Sequence, residues 1–228
     1  MNDISVTVDL RPSFGPARDQ GRRPTCLAFA ASDAHAGLRP GWTPLSCEFA
    51  FYHAQRRAGR PPSEGALLPA MLQALRDDGQ PEELGWPYLS TTPPDQASWA
   101  PPAGIGALFG RNGQRMTASV DDVIARLDAG RPVILLLTLS AAFYRPEAGG
   151  VIHPAPGESP EPQRRHAVVA VGHGRVDAHR AVLVRNSWGQ RWADAGHGWL
   201  TEPFLEPRLF AAAKLTEEVD VFARSAAA

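Results

Sequence analysis

The chain has 228 residues, and its 23 lysines and arginines against 24 aspartates and glutamates give a formal net charge of −1. This length suits one large domain or two small lobes that share a site. The near-zero charge gives no electrostatic reason to expect a nucleic acid or an anionic membrane surface as a partner. Only two cysteines are present, Cys26 and Cys47, which excludes a disulfide framework and an all-cysteine zinc site.

The N-terminus carries no visible targeting signal. Its first residues, MNDISVTVDLRP, lack the basic and apolar segments of a signal peptide. The longest apolar run, residues 133–139, is far shorter than the ~20 residues of a membrane-spanning helix. We therefore expect a cytoplasmic protein without integral membrane contact, and export by a non-classical route stays open.

In the first half of the chain, composition and stop signals predict three helices. An alanine-rich run begins at Cys26 and is stopped by Gly37, which puts Cys26 at a helix N-terminus. Ser46 is a candidate N-cap for the second helix, and Gly79 ends the third. The second and third helices are predicted over 46–57 and 68–78, with extended and loop structure over 1–25 and an irregular connection over 80–118.

The second half of the chain is richer in β-branched residues. Ser119 and the acids after it have the signature of a helix start, since early acidic residues complement the helix dipole. Short apolar runs between glycine-containing turns predict strands over 133–139, 167–171, 181–185 and 198–200. Helices followed by strands are typical of an α+β protein.

Three side chains are candidates for nucleophilic catalysis. A cysteine at a helix N-terminus faces unpaired N–H groups, which favour the thiolate, although an inert buried Cys26 is the alternative. His166 opens a strand and titrates near neutral pH as a general base must, although it could be an ordinary core or surface histidine. Asn186 could fix the tautomer of an imidazole and Trp188 could cover that bond, although Asn-Ser-Trp-Gly could simply be a turn.

Taken together, these segments resemble the papain-like (C1 family) cysteine peptidases along nearly the whole chain. His166 follows Cys26 by 140 residues and Asn186 follows His166 by 20, in the family's order. The motifs that carry the resemblance are Gln20-Gly21, Cys26-Leu27-Ala28-Phe29-Ala30, Leu45-Ser46, Gly65-Ala66, Trp86-Pro87-Tyr88, Phe143-Tyr144, Gly149-Gly150-Val151-Ile152, His166-Ala167-Val168, Asn186-Ser187-Trp188-Gly189 and His197-Gly198-Trp199.

The resemblance implies a papain-like two-lobe α+β fold. A helical N-terminal lobe and a β-barrel-like C-terminal lobe would enclose an active-site cleft, and the whole chain, 1–228, would be one peptidase domain. We expect the helical lobe over about 12–118 and the β lobe over 119–228, with residues 1–11 joining the β lobe.

The same resemblance implies the roles of the site residues. Cys26 would be the nucleophile of a cysteine endopeptidase, His166 its ion-pair partner and general acid/base, and Asn186 the residue that orients His166. Gln20 would donate its side-chain amide to the oxyanion. The substrate-binding residues would be Gly65, Ala66, Leu67, Leu68, Ala167 and Trp188. Gly65 would offer main-chain hydrogen bonds to an extended polypeptide, and Leu67, Leu68 and Ala167 would line an apolar pocket, although the leucines could equally be core.

The sequence also departs from the family pattern. Arg23 stands where the family has an extra cysteine, and Cys47 falls inside a helix, so the usual disulfides are missing, as in a reducing compartment. Leu27 replaces the tryptophan that follows the nucleophile, which leaves the shielding of the ion pair more dependent on Trp188. Family-like residues begin almost at once, so we expect no propeptide and leave room for an unidentified regulatory or inhibitory partner.

Two other functions remain open beside the peptidase. A peptidase-like binding protein could keep the cleft without turnover, and the changes at Leu27 and Arg23 allow this. An acyltransferase would use the same thiolate chemistry, but its usual triad would need an aspartate at the position of Asn186. No metal or other cofactor is expected, because the seven histidines are scattered without ligand spacing.

Overall fold

A computed structural model describes residues 2–95 and 97–221. Three helices form the first half and two more lie among the later strands, and short 3-10 turns connect several of these elements. The helices are α1 (Cys26–Gly37), α2 (Cys47–Ala58), α3 (Leu68–Asp77), α4 (Val120–Asp128) and α5 (Glu202–Leu205). The predicted starts at Cys26, after Ser46, at Leu68 and after Ser119 are confirmed. No helix of the described residues is long and apolar enough to cross a membrane.

One sheet carries the eight strands. They are β1 (Ile4–Asp9), β2 (Gly110–Met116), β3 (Val133–Thr138), β4 (Val151–Ile152), β5 (Arg165–Val176), β6 (His179–Arg185), β7 (His197–Thr201) and β8 (Leu209–Val219). The order across the sheet is β2-β8-β3-β5-β6-β7-β4, and β1 pairs with β5. All pairs are antiparallel except the short β4–β7 pair. The α+β class is confirmed.

The sheet is open, so the expected barrel-like shape is not reached among the described residues. β2 and β4 occupy its two ends and do not pair with each other. β4 has only two residues and cannot extend the sheet far enough to close it. The prediction of an irregular connection over 80–118 is also wrong at its end, because β2 pairs with β8 there.

The sheet separates two apolar layers because neighbouring residues of a strand point to opposite faces. Ala167 and Val169 of β5 pack with α1, α2 and α3, whereas Val168 and Ala170 pack with α4 and α5. His166 points to the same face of the sheet as Val168. Ala167, the residue after it, points to the other face, toward α1. β5 therefore brings the histidine and the first turn of α1 to one edge of the sheet.

A buried ion-pair cluster joins the helices to the sheet. Asp33 of α1 accepts hydrogen bonds from Arg18 (Nη2–Oδ1, 2.5 Å) and from Arg185 of β6 (Nε–Oδ2, 2.7 Å). The Arg185 side chain is fully buried and also donates to the carbonyls of Gly15 and Pro16. The last residue of β6 before Asn186 is thus fixed against α1, which holds the two sides of the cleft together.

Candidate active site

Cys26 lies between the start of α1 and strand β5. It is the first residue of α1, and the side chain of the N-cap, Thr25, does not cap the helix. The first-turn N–H groups therefore stay free for other acceptors. The thiol is half-buried, and the backbone N–H groups of Ala167 in β5, of Leu27 and of Cys26 lie near enough to influence its pKa. Burial raises the pKa of the Cys26 thiol, and these three N–H groups lower it, with a net rise.

His166 is buried, and among the described residues one side-chain hydrogen bond holds it. Its Nε2 lies 2.7 Å from Oδ1 of Asn186, and the same oxygen accepts the N–H of Ser187 at 2.8 Å. Because an amide oxygen only accepts, His166 donates from Nε2, and in the neutral ring Nδ1 is the basic nitrogen. Burial lowers the pKa of His166 to about 4, against a smaller opposing effect of the Asn186 hydrogen bond.

Aromatic rings cover the histidine. The Trp188 ring lies 4.7 Å from the His166 ring, and the Phe143 ring lies 5.8 Å from it. Tyr144 stacks on the outer side of Trp188 at 5.3 Å, and Trp192 packs edge-on against Trp188. This cluster excludes water from the His166–Asn186 hydrogen bond, which strengthens that bond.

Gln20 is fixed so that one amide hydrogen remains free. Its Oε1 accepts from Ser187 Oγ (2.7 Å), and its Nε2 donates to the carbonyl of Arg23 (2.8 Å). Its backbone N–H donates to the Ser187 carbonyl, and its own carbonyl accepts from the Tyr88 hydroxyl. A primary amide carries two N–H donors, so the second Nε2 hydrogen is available to a ligand.

The segment before α1 pairs with the segment after β6. Asp19 and Trp188 form an isolated antiparallel bridge, and Gly189 donates its N–H to the Arg18 carbonyl. Together with the two Gln20–Ser187 hydrogen bonds, this pairing places the loop that carries Gln20 beside Asn186. The structure therefore gathers Gln20, Cys26, His166 and Asn186 at the junction between α1 and the sheet.

No direct hydrogen bond joins the Cys26 and His166 side chains among the described residues. The two residues are nevertheless close along the fold, because the N–H of Ala167, the residue after His166, lies near the Cys26 thiol. Cys47 has a different environment from Cys26: it is fully buried, and its sulfur accepts a hydrogen bond from Arg18 at 3.5 Å. Burial raises the pKa of the Cys47 thiol strongly, so it stays protonated.

The predicted substrate-binding residues differ in exposure. Gly65 and Ala66 are half-buried, and a Cβ added at Gly65 would meet only the Pro24 carbonyl oxygen, at 3.8 Å. Gly65 thus lies beside the Cys26 loop with open space in front of it. Leu67 is exposed, whereas Leu68 and Ala167 are buried in the same apolar layer. The pocket assigned to Leu67, Leu68 and Ala167 stays a prediction.

The contacts of Ser187 and Tyr88 with Gln20 are not predicted by the sequence. Both lie in motifs that were recognised, Asn186-Ser187-Trp188 and Trp86-Pro87-Tyr88, but neither motif reveals a contact with Gln20 across the chain. Metal ligation has no support in the geometry: the described part of the chain holds no group of three or more His, Cys, Asp or Glu side chains that could bind an ion.

Comparison with known proteins identifies similarity to cysteine proteases. The family profile described as papain family cysteine protease matches residues 65–203, which include His166 and Asn186. A cysteine protease of Blomia tropicalis is 28% identical over 125 residues, covering 54% of this chain and 35% of the relative. A cathepsin L-like peptidase of Aedes aegypti is 24% identical over 202 residues, covering 86% of this chain and 58% of the relative.

The fold is also similar to that of a solved protease. The crystal structure of xylellain, a cysteine protease from Xylella fastidiosa, superposes with a TM-score of 0.74 at 23% identity, covering 94% of this chain and 87% of that one. The papain-like fold is thereby confirmed. The chain spans 35% and 58% of the length of the two curated relatives described above.

Proposed function

The chain belongs to the papain family of cysteine proteases, and on that basis we propose that it is a cysteine endopeptidase that hydrolyses peptide bonds through Cys26. The observation that carries the proposal is the His166–Asn186 hydrogen bond beneath Trp188, with the Cys26 thiol close to Ala167, the residue that follows His166. This contact set leaves the basic Nδ1 of His166 available to a thiol at the N-terminus of α1.

The first step is proton transfer from the Cys26 thiol to His166 Nδ1. Burial disfavours each charge by itself, because it raises the pKa of Cys26 and lowers that of His166 to about 4. Transfer creates both charges at once and side by side, so that each compensates the other in a site of low polarity. The backbone N–H groups of Ala167 and Leu27 near the sulfur and the dipole of α1 add to the stability of the thiolate.

Acylation then proceeds by attack on the substrate carbonyl. The Cys26 sulfur forms a bond to the carbonyl carbon, and the carbonyl electron pair moves to oxygen. The free Nε2 hydrogen of Gln20 and the Cys26 N–H are the donors for that oxyanion. When the C–N bond breaks, His166 gives its proton to the leaving amine. A water molecule, deprotonated by His166, then hydrolyses the thioester and releases the Cys26 sulfur.

The proposed substrate is a polypeptide in extended conformation. Gly65 lies beside Pro24 with room in front of its backbone, which suits main-chain hydrogen bonds to a strand-like substrate. Ala66, Leu67, Leu68 and Ala167 would contact its side chains on one side of the cleft, and Trp188 would contact them on the His166 side. An extended chain suits a cleft because it exposes its peptide groups to both walls.

Selective alkylation combined with a cleavage assay tests the proposal. At pH 5–6 we expect iodoacetamide to label Cys26 much faster than Cys47, because Cys47 is fully buried and its pKa is strongly raised. The same preparation should cleave denatured casein, and Cys26→Ala should not, whereas Cys47→Ala should keep cleaving if it is folded. Equal labelling of the two thiols, or cleavage by Cys26→Ala, would refute the assignment.

We further propose that the protein works in a reducing compartment, the cytoplasm. Both thiols are free, and Cys47 is enclosed with Arg18 and Glu83 instead of a second cysteine. Immunodetection in fractions of the cells that produce it tests this: recovery with exported proteins would contradict the proposal. An unidentified regulatory or inhibitory partner stays part of the proposal, to be sought by co-purification with the Cys26→Ala variant.

A further inference from the structure

A buried ion pair lies directly beneath the loop that carries the nucleophile, residues 20–26, which we call the site loop. Arg23 Nη1 lies 2.6 Å from Glu48 Oε2, and Arg23 Nη2 lies 3.0 Å from Glu48 Oε1. The Arg23 side chain is 2% exposed and that of Glu48 is fully buried. Such a two-pronged contact fixes the plane of the guanidinium as well as its position.

The partners of the pair are themselves fixed. Trp99 Nε1 donates to Glu48 Oε1 at 2.7 Å, and the Leu89 N–H donates to Glu48 Oε2 at 3.1 Å. Arg23 Nη1 also donates to the Leu89 carbonyl at 2.7 Å. The ring of Tyr88 lies 5.0 Å from the Arg23 guanidinium carbon. Both carboxylate oxygens of Glu48 therefore accept two hydrogen bonds each, and the Arg23 side chain has one orientation.

The backbone of Arg23 links this pair to the oxyanion donors. Its carbonyl accepts from Gln20 Nε2 and from the Thr25 N–H, both at 2.8 Å. The Tyr88 hydroxyl donates to the Gln20 carbonyl at 2.7 Å, and it lies 2.9 Å from Thr25 Oγ1. A tyrosine has only one hydroxyl hydrogen, so Thr25, the residue before Cys26, donates to Tyr88. The Arg23 carbonyl and Tyr88, whose ring packs on the Arg23 guanidinium, thus contact both ends of the site loop.

Burying two charges carries a large desolvation cost, and apolar residues of similar volume often give equal or greater stability. A charge pair offers orientation instead, because its hydrogen bonds fix angles that apolar packing leaves free. We infer that Arg23 and Glu48 are positioning residues that aim the Gln20 amide and the Cys26 N–H at the developing oxyanion. The inference rests on the proposed protease function.

Two measurements on Glu48→Gln separate positioning of the oxyanion donors from reactivity of the thiol. A peptide aldehyde adds to Cys26 and gives a tetrahedral oxyanion equivalent, whereas alkylation by iodoacetamide needs no oxyanion donor. We expect kcat to fall by about tenfold, since misaligning a donor costs less than the 10²–10³ of removing one. Aldehyde affinity should fall by a similar factor, with KM and the alkylation rate changed less than about twofold.

Two further variants keep the test decisive. Arg111→Lys removes hydrogen bonds of another buried arginine, which binds the Thr216 carbonyl and Glu218 at the far edge of the sheet. It should lower the melting temperature without changing the ratio of aldehyde affinity to alkylation rate. Glu48→Asp keeps the charge and should retain more aldehyde affinity than Glu48→Gln, and it replaces that variant if Glu48→Gln does not fold. All rates are compared at a temperature where circular dichroism shows folded protein.

The outcomes distinguish this inference from the proposed function. A Glu48 variant that loses stability but keeps the wild-type ratio, as Arg111→Lys should, would show that the ion pair is only structural. A parallel loss of alkylation rate and aldehyde affinity would also overturn the inference, since the thiol itself would then be affected. Wild-type protein that neither binds the aldehyde nor shows selective alkylation of Cys26 would refute the protease function itself.

Discussion

The two walls of the cleft hold their reactive groups by different interactions. On the α1 side, buried charge pairs hold the segments next to the nucleophile: Arg23 pairs with Glu48, and Arg18 pairs with Asp33. On the sheet side, His166 has one side-chain hydrogen bond and is otherwise enclosed by aromatic rings.

The two sides are held differently because the sheet side must orient one ring, whereas the α1 side must orient backbone N–H groups. Strand β5 already pairs its backbone with β3 and β6, so the sheet holds His166 in place and only its ring needs orientation and cover. The site loop has no such ladder, and its own N–H groups are part of the chemistry. Its backbone must therefore be oriented from outside by side chains, which requires hydrogen bonds with fixed directions.

The largest expected effect comes from the junction between the two walls. Asp33→Asn leaves Arg18 and Arg185 charged and without a carboxylate at this point, where the Asp33 side chain is only 4% exposed. Removing one partner of a buried ion pair costs about 3–5 kcal/mol. The free energy of unfolding in urea should fall by this amount. Asp121→Asn is the matched control, because its pair with Arg180 is exposed and should cost less than about 1 kcal/mol.

If Asp33→Asn costs no more than Asp121→Asn, the walls are not joined by this cluster. The two apolar layers of the sheet would then be sufficient to hold β6 against α1. That result would move the origin of the cleft geometry from charge pairing to packing, and it would weaken the contrast between the walls.

The next effect tests the sheet wall. Asn186→Ala leaves Nε2–H of His166 without its acceptor and lets the ring turn, so proton transfer from Cys26 is impaired. Loss of a buried hydrogen bond of about 1.5–3 kcal/mol corresponds to about 10- to 160-fold in rate. Both kcat on a peptide amide and the alkylation rate of Cys26 should fall, which contrasts with Glu48→Gln, where alkylation is preserved.

Asn112→Ala is the control for the asparagine change. Asn112 lies in β2 and donates to Glu217, remote from the cleft. It should leave both rates unchanged. If Asn186→Ala keeps full activity, another group orients His166, and the sheet wall would depend on packing alone.

A third experiment measures the aromatic cover directly. In a Cys26→Ala background the thiol cannot affect His166, and burial should hold its pKa near the value of about 4. Trp188→Ala in that background admits water, so the pKa should rise by about 1–2 units toward 6.5. Titration of the ring signals by NMR measures it. His197, whose pKa burial also lowers to about 4, is an internal control that should not move.

Local signals explain which parts of the fold could be predicted. The start of α2 is set by Ser46, whose hydroxyl accepts the Phe49 N–H at 3.1 Å, and the helix ends at Gly59 with a φ of 61°. The start of α4 is set by Ser119 in the same way. β2 was missed because GRNGQRM combines glycines with polar residues, and only its pairing with β8 makes it a strand.

The same distinction applies to the site. Cys26, His166 and Asn186 each sit in a short motif whose chemistry can be read locally, so they could be proposed from the sequence. The Arg23–Glu48 pair could not, because charged residues are usually exposed and nothing local indicates that these two meet. Its 25-residue separation becomes a contact only when α2 packs beneath the site loop.

The smallest effect concerns a histidine of α1 outside the site. His35 is fully buried, and its Nδ1 lies 3.1 Å from Gln80 Oε1. The Gln80 amide nitrogen already donates to Ser32 Oγ and the Ser46 carbonyl, so Gln80 Oε1 faces His35 and His35 donates from Nδ1. Burial lowers the pKa of His35 to about 3, with Arg111 acting in the same direction. The unfolded chain binds the proton more readily, since its histidine has a pKa of about 6.5.

The contribution of His35 is therefore complete above pH 6.5 and is lost progressively as the pH falls from about 6.5 toward 3. The loss of this contribution between pH 7.5 and 5.5 should lower the free energy of unfolding by about 1.4 kcal/mol. In urea titrations, His35→Gln and His35→Leu should each reduce the change in unfolding free energy between these two pH values by this amount. The comparison holds whatever the absolute stabilities of the two variants. An unchanged pH dependence in both variants would show that His35 is protonated in the folded protein over this pH range. The buried charges on the α1 side would then include His35 as well as the ion pairs.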